Sequence, residues 1–505
     1  MKKTTFVQMT CALLAIAASS HADFAFTRAF TSNNTEIPAP SVDATATGAT
    51  AAWATINHMV VEAGVDTDGD GNEEIVVFRI DSQAATITTG DLGCIYIYER
   101  TTGDNGYALK YSDCYTNFDS GNFNDMGHMV IGDLDGANGQ EIIIIPSDRF
   151  STVPLRSTFV VYASSGNDTW GSGNTAANNQ FSQEVLIGPA GTSVTSDTTT
   201  NNEQQGAAIG DFDGDSANEI AIAIDRTNET LIASVSSGTW VAGNAVVVDE
   251  TAGGLAGAGG SPFAMLAIDT NGDGRKEAVT GYFNSVGLGV YEGTAANTYA
   301  LGRDLSPGIA PADRLVKPGA LVGADIDGNG TANIFAGNAR TGEVYTLDGL
   351  TTGSVSTLGA LTVFAPAATF TGTVDPGTDS NGELLVCQDL AIGDGDGNGR
   401  RELLHAFQPS AATAPATQIY AFEYNGTGSA TDVANYTLIT GTTSGLTAAE
   451  TIFAVTAADL SGATLDMDND GLSEVVITTA GVTEPALIVF EETPPARVEN
   501  WEIMK

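Results

Sequence analysis

The sequence predicts an all-β fold, a seven-bladed β-propeller of four-stranded antiparallel blades. One observation behind this prediction is a repeat, because an apolar strand-like run, an acidic glycine-rich loop and a second apolar run recur seven times. A second observation is the spacing, since successive loops begin 56 to 78 residues apart. Internal repeats of this kind are the signature of architectures in which each unit packs against its neighbours. Loops 1 to 7, numbered in chain order, begin at Asp66, Asp133, Asp211, Asp269, Asp325, Asp394 and Asp466.

The strand content of each repeat supports this number of blades. Every loop is followed by strand-forming residues, such as EIVVF after loop 1 and EVVIT after loop 7. With the strand before the loop and the apolar runs that come later, each unit contains about four strands, which is the content of a propeller blade. The 43 residues of 23–65 and the 39 of 467–505 together exceed one period. We therefore expect 23–505 to form one ring, closed by DFAFTRAF at the N-terminus or RVENWEIM at the C-terminus.

Oxygen-bearing side chains alternate along the loops in a pattern that suits calcium. Counted from the first aspartate, they stand at positions 1, 3, 5 and 9, and the carbonyl of position 7 can add one more ligand. Calcium takes roughly six to eight hard oxygen ligands in a flexible shell. Glycine at position 4 or 6 permits backbone conformations that other residues resist. We expect up to seven Ca²⁺ ions. The candidate ligands are Asp66, Asp68, Asp70, Asn72 and Glu74; Asp133, Asp135 and Glu141; Asp211, Asp213, Asp215, Ala217 and Glu219; Asp269, Asn271, Asp273, Arg275 and Glu277; Asp325, Asp327, Asn329, Thr331 and Asn333; Asp394, Asp396, Asn398, Arg400 and Glu402; and Asp466, Asp468, Asp470, Leu472 and Glu474.

The loops differ in their number of carboxylates. Loops 1, 3 and 7 carry four each, whereas loop 2 has Ala137 at position 5 and loop 5 has only Asp325 and Asp327. Loops 4 and 6 use one amide each, Asn271 and Asn398, which still offers an oxygen. Because calcium affinity follows the charge and number of ligands, we predict that loops 2 and 5 are the weakest sites.

This pattern resembles the FG-GAP/VCBS repeats of integrin α-subunit propellers and their bacterial relatives. An EF-hand is a poorer match, because the closing acid is at position 9 rather than 12 and strand formers follow it. The resemblance covers nearly the whole of 23–505, although the FG and GAP dipeptides are not evident, which favours the bacterial VCBS-like branch. It implies structural calcium and an extracellular role in adhesion or in binding protein or glycan ligands, as in integrin heads and some fungal lectins.

Residues 1–22 have the features of a cleaved signal peptide. A basic start is followed by the apolar run 11–18, and the small residues Ser20 and Ala22 then provide a cleavage site. The apolar run is too short to cross a bilayer, and no other stretch of the sequence is a better candidate. We therefore expect a secreted, periplasmic or cell-surface protein without a transmembrane span.

The chain that remains is strongly acidic, with 62 acidic and 17 basic residues and a formal charge of −45. Such a surface repels nucleic acid and anionic lipid. Clustered carboxylates repel one another at short range, so the composition agrees with cation binding. We expect a monomer that binds an extracellular protein or glycan and has no nucleic-acid partner.

Cys94 and Cys114 are equidistant from Asp104 in a stretch with the pattern of a β-hairpin. Cross-strand neighbours share this symmetry, so a disulfide is predicted in an oxidising compartment. Two unpaired buried thiols are the alternative. Cys387 stands alone and is expected to be a small core residue.

No catalytic residue is predicted. His58 and His128 hold equivalent places before loops 1 and 2, which indicates packing, and His405 follows loop 6. The acid pairs that a glycosidase needs lie in the loops, where calcium explains them better. A secreted polysaccharide-active enzyme, similar to lyases on this scaffold, stays an alternative function. A purely structural surface protein is another.

Two tryptophans are the candidate ligand-binding residues. Trp170 and Trp240 are surrounded by Gly, Ser and Asn, and such rings can stack on sugars. Aromatic rings that fill the gaps between blades are the alternative. The long inserts 164–205, 252–262 and 366–383 are the predicted recognition surface, with plain solvated loop as the alternative.

Overall fold

Seven four-stranded antiparallel sheets form the ring in the computed structural model of the protein, which confirms the predicted seven-bladed β-propeller. Two short 3₁₀ turns are the only helical elements within the described part of the chain. No helix there is long and apolar enough to cross a membrane. The structure describes residues 26–32, 36–37, 58–80, 93–101, 103, 105–115, 125–134, 136, 139–147, 157–170, 183–187, 204–224, 229–235, 242–249, 262–282, 287–305, 319–338, 341–366, 387–395, 398–407, 419–440, 451–457, 465–480 and 486–492.

Blades 1 to 4 each use consecutive strands from the channel outward, apart from a small hairpin inserted in blade 2. The strands of blade 1 are β2 (His58–Val65), β3 (Glu74–Ile80), β4 (Gly93–Arg100) and β5 (Tyr107–Tyr115). Those of blade 2 are β6 (Asp125–Gly132), β7 (Glu141–Ser147), β8 (Ser157–Tyr162) and β11 (Gln183–Ile187), with the hairpin β9 (Ser164–Gly166) and β10 (Thr169–Trp170). Those of blade 3 are β12 (Gln204–Gly210), β13 (Glu219–Ile224), β14 (Glu229–Val235) and β15 (Ala242–Asp249). Those of blade 4 are β16 (Pro262–Ile268), β17 (Glu277–Tyr282), β18 (Leu288–Ala295) and β19 (Thr298–Asp304).

Blades 5 and 6 follow the same order, and blade 7 combines strands from both ends of the chain. The strands of blade 5 are β20 (Leu321–Ala324), β21 (Asn333–Gly337), β22 (Val344–Asp348) and β23 (Thr362–Ala365). Those of blade 6 are β24 (Cys387–Gly393), β25 (Glu402–Phe407), β26 (Ile419–Tyr424) and β27 (Tyr436–Thr440). Those of blade 7 are β28 (Thr451–Thr456), β29 (Glu474–Ala480), β30 (Ala486–Glu492) and β1 (Phe26–Thr31).

The second strand of a blade is buried on both faces, because each blade packs between two others. All six residues of β13, EIAIAI, are buried, as are all six of β17. A strand covered on both sides needs a nearly continuous apolar run instead of an alternating one. The core is divided accordingly into seven apolar clusters, one at each seam between neighbouring blades.

The N-terminal strand closes the ring. Strand β1 pairs antiparallel with β30 as the outermost strand of blade 7, with Thr27 opposite Glu491. Phe30 of β1 also packs edge-on against Tyr98 and Tyr107 of blade 1. Of the two termini that the sequence left open, the N-terminal one therefore supplies the closing strand. RVENWEIM lies outside the described residues.

The first strands of all seven blades line a central channel of about 770 Å³. Its lining is mixed, with the apolar Val130 and Ile209 beside the charged Lys276. Glu62 and His128 also face it, and burial raises the pKa of Glu62 to about 7 and lowers the pKa of His128 to about 4. Burial thus favours the uncharged form of both side chains.

The two cysteines of blade 1 lie opposite each other on neighbouring strands. Cys94 of β4 is the register partner of Cys114 of β5, and the two sulfurs form a disulfide. This bond joins the third strand of the blade to its outermost strand. It lies on the side of blade 1 that faces blade 7, because Cys94 belongs to the apolar cluster between these blades.

We expect Phe30→Ala to lower the free energy of unfolding by about 2 kcal/mol, because it removes a ring that packs across the closing seam. Urea denaturation measures this change. Val363 on β23 provides the matched control, since it also lies on an outermost strand but is 50% exposed. Val363→Ala should change stability by about 0.5 kcal/mol or less. Equal losses in the two variants would contradict a closing role for β1.

Candidate metal centres

All seven loops share one hydrogen bond that fixes their shape. The backbone N–H of position 2 donates to the side chain of position 9, over 2.6 to 3.0 Å. Position 9 is the first residue of the second strand of the blade. The bond therefore folds each loop back onto the strand that follows it and turns the position 9 side chain into the loop. The acceptors are Glu74, Glu141, Glu219, Glu277, Asn333, Glu402 and Glu474.

The first aspartate of a loop organises its tip. In loop 1, Asp66 Oδ1 accepts from the N–H of Gly69 at 2.7 Å, and Oδ2 accepts from the N–H of Gly71 at 3.1 Å. Both glycines have positive φ angles, 76° and 88°, which residues with a Cβ adopt only at a cost. In loop 3, Asp211 accepts in the same way from Gly214 and Ser216. The curled backbone thus brings the alternate side chains to one side.

Three of the loops gather their carboxylates into compact clusters. In loops 1, 3 and 7, one oxygen from each clustered residue lies within 4.8 Å of the others. This spacing is close enough for a single cation to contact several of them. These are the loops for which the sequence gives four carboxylates. The clusters are Asp66, Asp68, Asp70 and Glu74; Asp211, Asp213 and Glu219; and Asp466, Asp468 and Glu474.

The buried glutamates of these clusters are electrostatically incomplete. Glu74 and Glu474 are 0% exposed, and while Oε2 of each accepts the loop hydrogen bond, Oε1 is buried with no hydrogen-bond partner among the described residues. Burial, reinforced by the neighbouring aspartates, raises the pKa of both groups to about 8. The pKa of Glu219 in loop 3 is raised to about 8 for the same reasons. A buried carboxylate oxygen without a partner is energetically unfavourable, and a bound cation would stabilise it.

Loop 4 balances part of its charge from within the chain. The Arg275 guanidinium forms an ion pair with Asp273 at 2.7 Å, and this partner lowers the pKa of the carboxyl despite some desolvation. The Asn271 amide Nδ2 donates to Glu277 Oε1 at 2.9 Å. Asn271 thus presents its nitrogen to the acid, whereas its oxygen was the predicted metal ligand. The arginine and the amide therefore donate to two carboxylates of the loop, although burial still raises the pKa of Glu277 to about 7.

Loop 5 also meets its hydrogen-bonding needs without a cation. Asn333 replaces the glutamate, so that its Oδ1 accepts from the Ile326 N–H at 2.9 Å and its Nδ2 donates to Asp348 at 2.9 Å. No buried negative charge remains at position 9. Loops 2 and 6 each include one predicted ligand, Asp135 and Asp396, that lies outside the described residues.

A turn of the next blade contacts the loop, a feature that the repeat pattern did not predict. The backbone N–H of Asp168 donates to Asp68 Oδ2 at 2.7 Å, and that of Asn297 donates to Asp213 Oδ2 at 2.5 Å. The N–H of Asn105 likewise donates to Asp468. These three turn residues all have left-handed φ angles of 51° to 56°. A signal for them exists in the sequence, because an Asn or Asp is followed two residues later by an aromatic residue.

The aromatic residues of these turns are buried against the preceding blade. They are Tyr107, Trp170 and Tyr299, which are 7%, 1% and 6% exposed. Trp170 Nε1 donates to Thr67 Oγ1 at 2.9 Å, and this hydroxyl donates to Glu74 Oε2. The predicted surface position of Trp170 is therefore wrong, because the ring fills the seam between blades 1 and 2 and supports loop 1.

The remaining candidate ligand-binding positions fall largely outside the described residues. Trp240 is one of them, as are most of the inserts 252–262 and 366–383. Within 164–205, the described residues form the hairpin β9–β10, the edge strand β11 and the start of β12. That insert is therefore partly ordered strand instead of one continuous loop.

His128 and His405 are the histidines of 23–505 whose side chains the structure describes. His405 on β25 is 0% exposed, and burial lowers its pKa to about 3. Its ring lies 6.4 Å from that of Tyr420. His128 faces the channel, and His58 lies on β2. The absence of catalysis stays a prediction.

Solved structures resemble this chain at identities of 9 to 11%. No protein-family model and no curated protein matches the sequence. BBS1N in complex with ARL6DN is similar at 10% identity and a TM-score of 0.47, over 95% of this chain and 100% of that chain. Sqt1 of Saccharomyces cerevisiae is similar at 11% identity and a TM-score of 0.40, over 84% of this chain and 83% of that chain. The ctPRC2 complex with H3K27me3 and H3K27M is similar at 9% identity and a TM-score of 0.44, over 86% of this chain and 94% of that chain. The number of blades rests on the sheet topology of this chain.

In chelator, we expect the melting temperature to fall as the pH rises from about 4.5 to about 8. Folding raises the pKa of Glu74, Glu219 and Glu474 from 4.5 to about 8, so the folded protein binds protons more tightly than the unfolded chain in this range. Stabilisation that is complete below the unfolded pKa is lost as the pH passes the folded pKa. Differential scanning calorimetry in chelator tests this. Glu74→Gln should weaken the pH dependence, and a melting temperature that is constant across the range would contradict the raised pKa values.

Proposed function

We propose that this protein is a secreted calcium-binding β-propeller that serves as an extracellular binding module for protein or glycan ligands, with calcium mainly structural. One observation carries the metal part of this proposal. In loops 1 and 7, a glutamate with a buried oxygen that has no hydrogen-bond partner among the described residues belongs to a cluster of carboxylates that lie within 4.8 Å of one another. A bound cation would complete this arrangement.

Calcium is the cation that best matches these donors. The three clusters offer carboxylate oxygens, which hard cations prefer, and contain no histidine or cysteine of the kind that zinc favours. Calcium accepts roughly six to eight oxygens in irregular shells, whereas magnesium demands a near-ideal octahedron. A flexible nine-residue loop with a buried glutamate at its end suits the less demanding ion.

The residues that would hold the ions are those of positions 1, 3, 5 and 9, with the carbonyl of position 7. Loops 1, 3 and 7 are the strong sites under this proposal. Loop 4 joins loop 5 among the weak ones, because Arg275 already pairs with Asp273 and the Asn271 amide already donates to Glu277. The proposed ligands of the strong sites are Asp66, Asp68, Asp70, Asn72 and Glu74; Asp211, Asp213, Asp215, Ala217 and Glu219; and Asp466, Asp468, Asp470, Leu472 and Glu474.

The structural role of calcium follows from where the loops lie. Each strong loop contacts a turn of the next blade, so an ion bound there would stabilise a seam as well as a loop. An ion that binds only the folded state stabilises it by about 2.7 kcal/mol per site at one hundred times its Kd. Three such sites would contribute about 8 kcal/mol, which is comparable to the whole stability of a typical domain.

Two features support the extracellular binding role. The Cys94–Cys114 disulfide is typical of proteins that fold in an oxidising compartment, which agrees with the signal peptide predicted at 1–22. A rigid ring also presents the loops of its faces to a ligand at fixed positions. Since Trp170 is buried, the glycan part of the proposal rests on Trp240 and the inserts instead.

We expect isothermal titration of the chelator-treated protein to show about three tight calcium sites, because three loops gather at least three carboxylates into a compact cluster. Asp66→Asn combined with Asp70→Asn should remove one of them. Asp325→Asn in loop 5 is the matched control and should leave the number of tight sites unchanged. Protein that binds no calcium in this titration, while folded by circular dichroism, would overturn the metal assignment.

The binding role is tested on a glycan array, with the full-length secreted protein in calcium and again in chelator. Binding to one sugar class in calcium and its loss in chelator are expected, because the ions hold the ring that positions the loops. If the folded protein binds no glycan, the protein-ligand form of the proposal is favoured. Glycan binding that persists unchanged in chelator would contradict the role given to calcium.

A further inference from the structure

The turn between β4 and β5 of blade 1 lies directly on loop 7 of blade 7. The backbone N–H of Asn105 donates to Asp468 Oδ2 at 2.9 Å, and its side-chain Nδ2 donates to Glu491 Oε2 at 2.5 Å. The Arg100 guanidinium donates to the backbone carbonyl of Asp468. Tyr107 follows the turn and is buried in the apolar cluster between the two blades. Two hydrogen bonds to loop 7, one to Glu491 of β30 and one buried ring therefore hold blade 1 on blade 7.

One carboxylate belongs both to this contact and to the candidate metal cluster. Asp468 Oδ2 accepts from the turn, while Oδ1 accepts from the N–H of Asp470 within the loop at 3.2 Å. Oxygens of Asp466, Asp468 and Glu474 lie within 4.8 Å of one another. Without a cation these carboxylates repel one another, which opposes the orientation of Asp468 that the turn requires. A bound cation removes that opposition.

The seam between blades 7 and 1 differs from the other six because it joins the two ends of the repeat array. Its blades are far apart in sequence, with a separation of 363 positions from Asn105 to Asp468. Strand β1 bridges them, through its pairing with β30 and the packing of Phe30 on Tyr98. Closing a ring of this length carries an entropic cost that contacts at this seam must offset.

We propose that a cation bound in loop 7 latches the ring shut at the seam between blades 7 and 1, and that the docked turn in return strengthens cation binding in loop 7. The inference rests on the proposed calcium binding and adds to it a coupling between one site and ring closure. Coupling of this kind is reciprocal, because the cation and the turn share Asp468.

The same contact at other seams shows that the arrangement is a regular part of this ring. Asp168 of blade 2 docks on Asp68 of loop 1, and Asn297 of blade 4 docks on Asp213 of loop 3. Blades 3 and 4 are consecutive in the chain, so their contact does not close the ring. Loop 3 is therefore the matched control for loop 7.

Hydrogen–deuterium exchange of the full chain in calcium and in chelator tests the latch. The loop 7 variant carries Asp466→Asn and Asp470→Asn, which weaken the site but keep Asp468. The control carries Asp211→Asn and Asp215→Asn in loop 3. In calcium, amide exchange in peptides covering 100–107 and 26–32 should be at least about tenfold faster in the loop 7 variant than in the wild type. In the loop 3 control, exchange should be faster than in the wild type only around 293–299.

The outcomes separate the latch from calcium binding itself. If the loop 7 variant binds one calcium ion fewer than the wild type and both closing-seam peptides keep their protection, the latch is wrong while calcium binding stands. If the wild type binds no calcium, the proposed function fails first. Loss of protection throughout the loop 7 variant, equal in all blades, would indicate general unfolding and would also overturn the latch.

The reciprocal test changes the turn and measures calcium. Asn105 has a φ of 51°, a conformation that glycine adopts freely and alanine resists. Asn105→Ala should weaken one calcium site by at least about fivefold in titration, and Asn105→Gly, which keeps the backbone donor in the same conformation, should weaken it less. Equal affinities in the wild type and Asn105→Ala would overturn the coupling.

Discussion

The hydrogen bond from position 2 to position 9 of each loop is the constraint on which the candidate centres depend. It ties the start of a loop to the first residue of the following strand, and it buries the acceptor while doing so. In loops 1, 3 and 7 the acceptor is a glutamate that is 0% exposed, beside aspartates of the same loop. Burying a carboxylate near like charges is unfavourable unless a proton or a cation neutralises it. The raised pKa values correspond to neutralisation by a proton. The proposed calcium ions would neutralise the carboxylates instead.

The loops also belong to the packing of the ring. A propeller has no single core, and this one divides its apolar side chains into seven clusters between blades. Where the turn of one blade donates a hydrogen bond to an aspartate of the preceding loop, the electrostatics of the loop and the stability of the seam are linked. Trp170 illustrates this link, because its indole fills the seam and contacts Glu74 through Thr67.

Loops 4 and 5 keep the same backbone design with a different charge balance. Arg275 pairs with Asp273 in loop 4, and Asn333 replaces the glutamate of loop 5. Both loops retain the hydrogen bond from position 2 to position 9, as do the other five loops. The repeat therefore specifies the shape of the loop, and the individual side chains specify its charge.

The sequence by itself determined the number of blades, the position of every loop and the three loops with complete carboxylate sets, because these depend on local patterns that repeat. Strand-forming runs and alternating acids act within a few residues of one another, so they can be read without knowledge of distant contacts. Only the tertiary structure decided that β1 closes the ring, that Trp170 is buried and that Asn105, Asp168 and Asn297 support the loops. Each of these depends on residues that are far apart in the chain and meet only across a seam. The orientation of the Asn271 amide belongs to the same group, because the competing donors and acceptors around it are fixed only when the loop is folded.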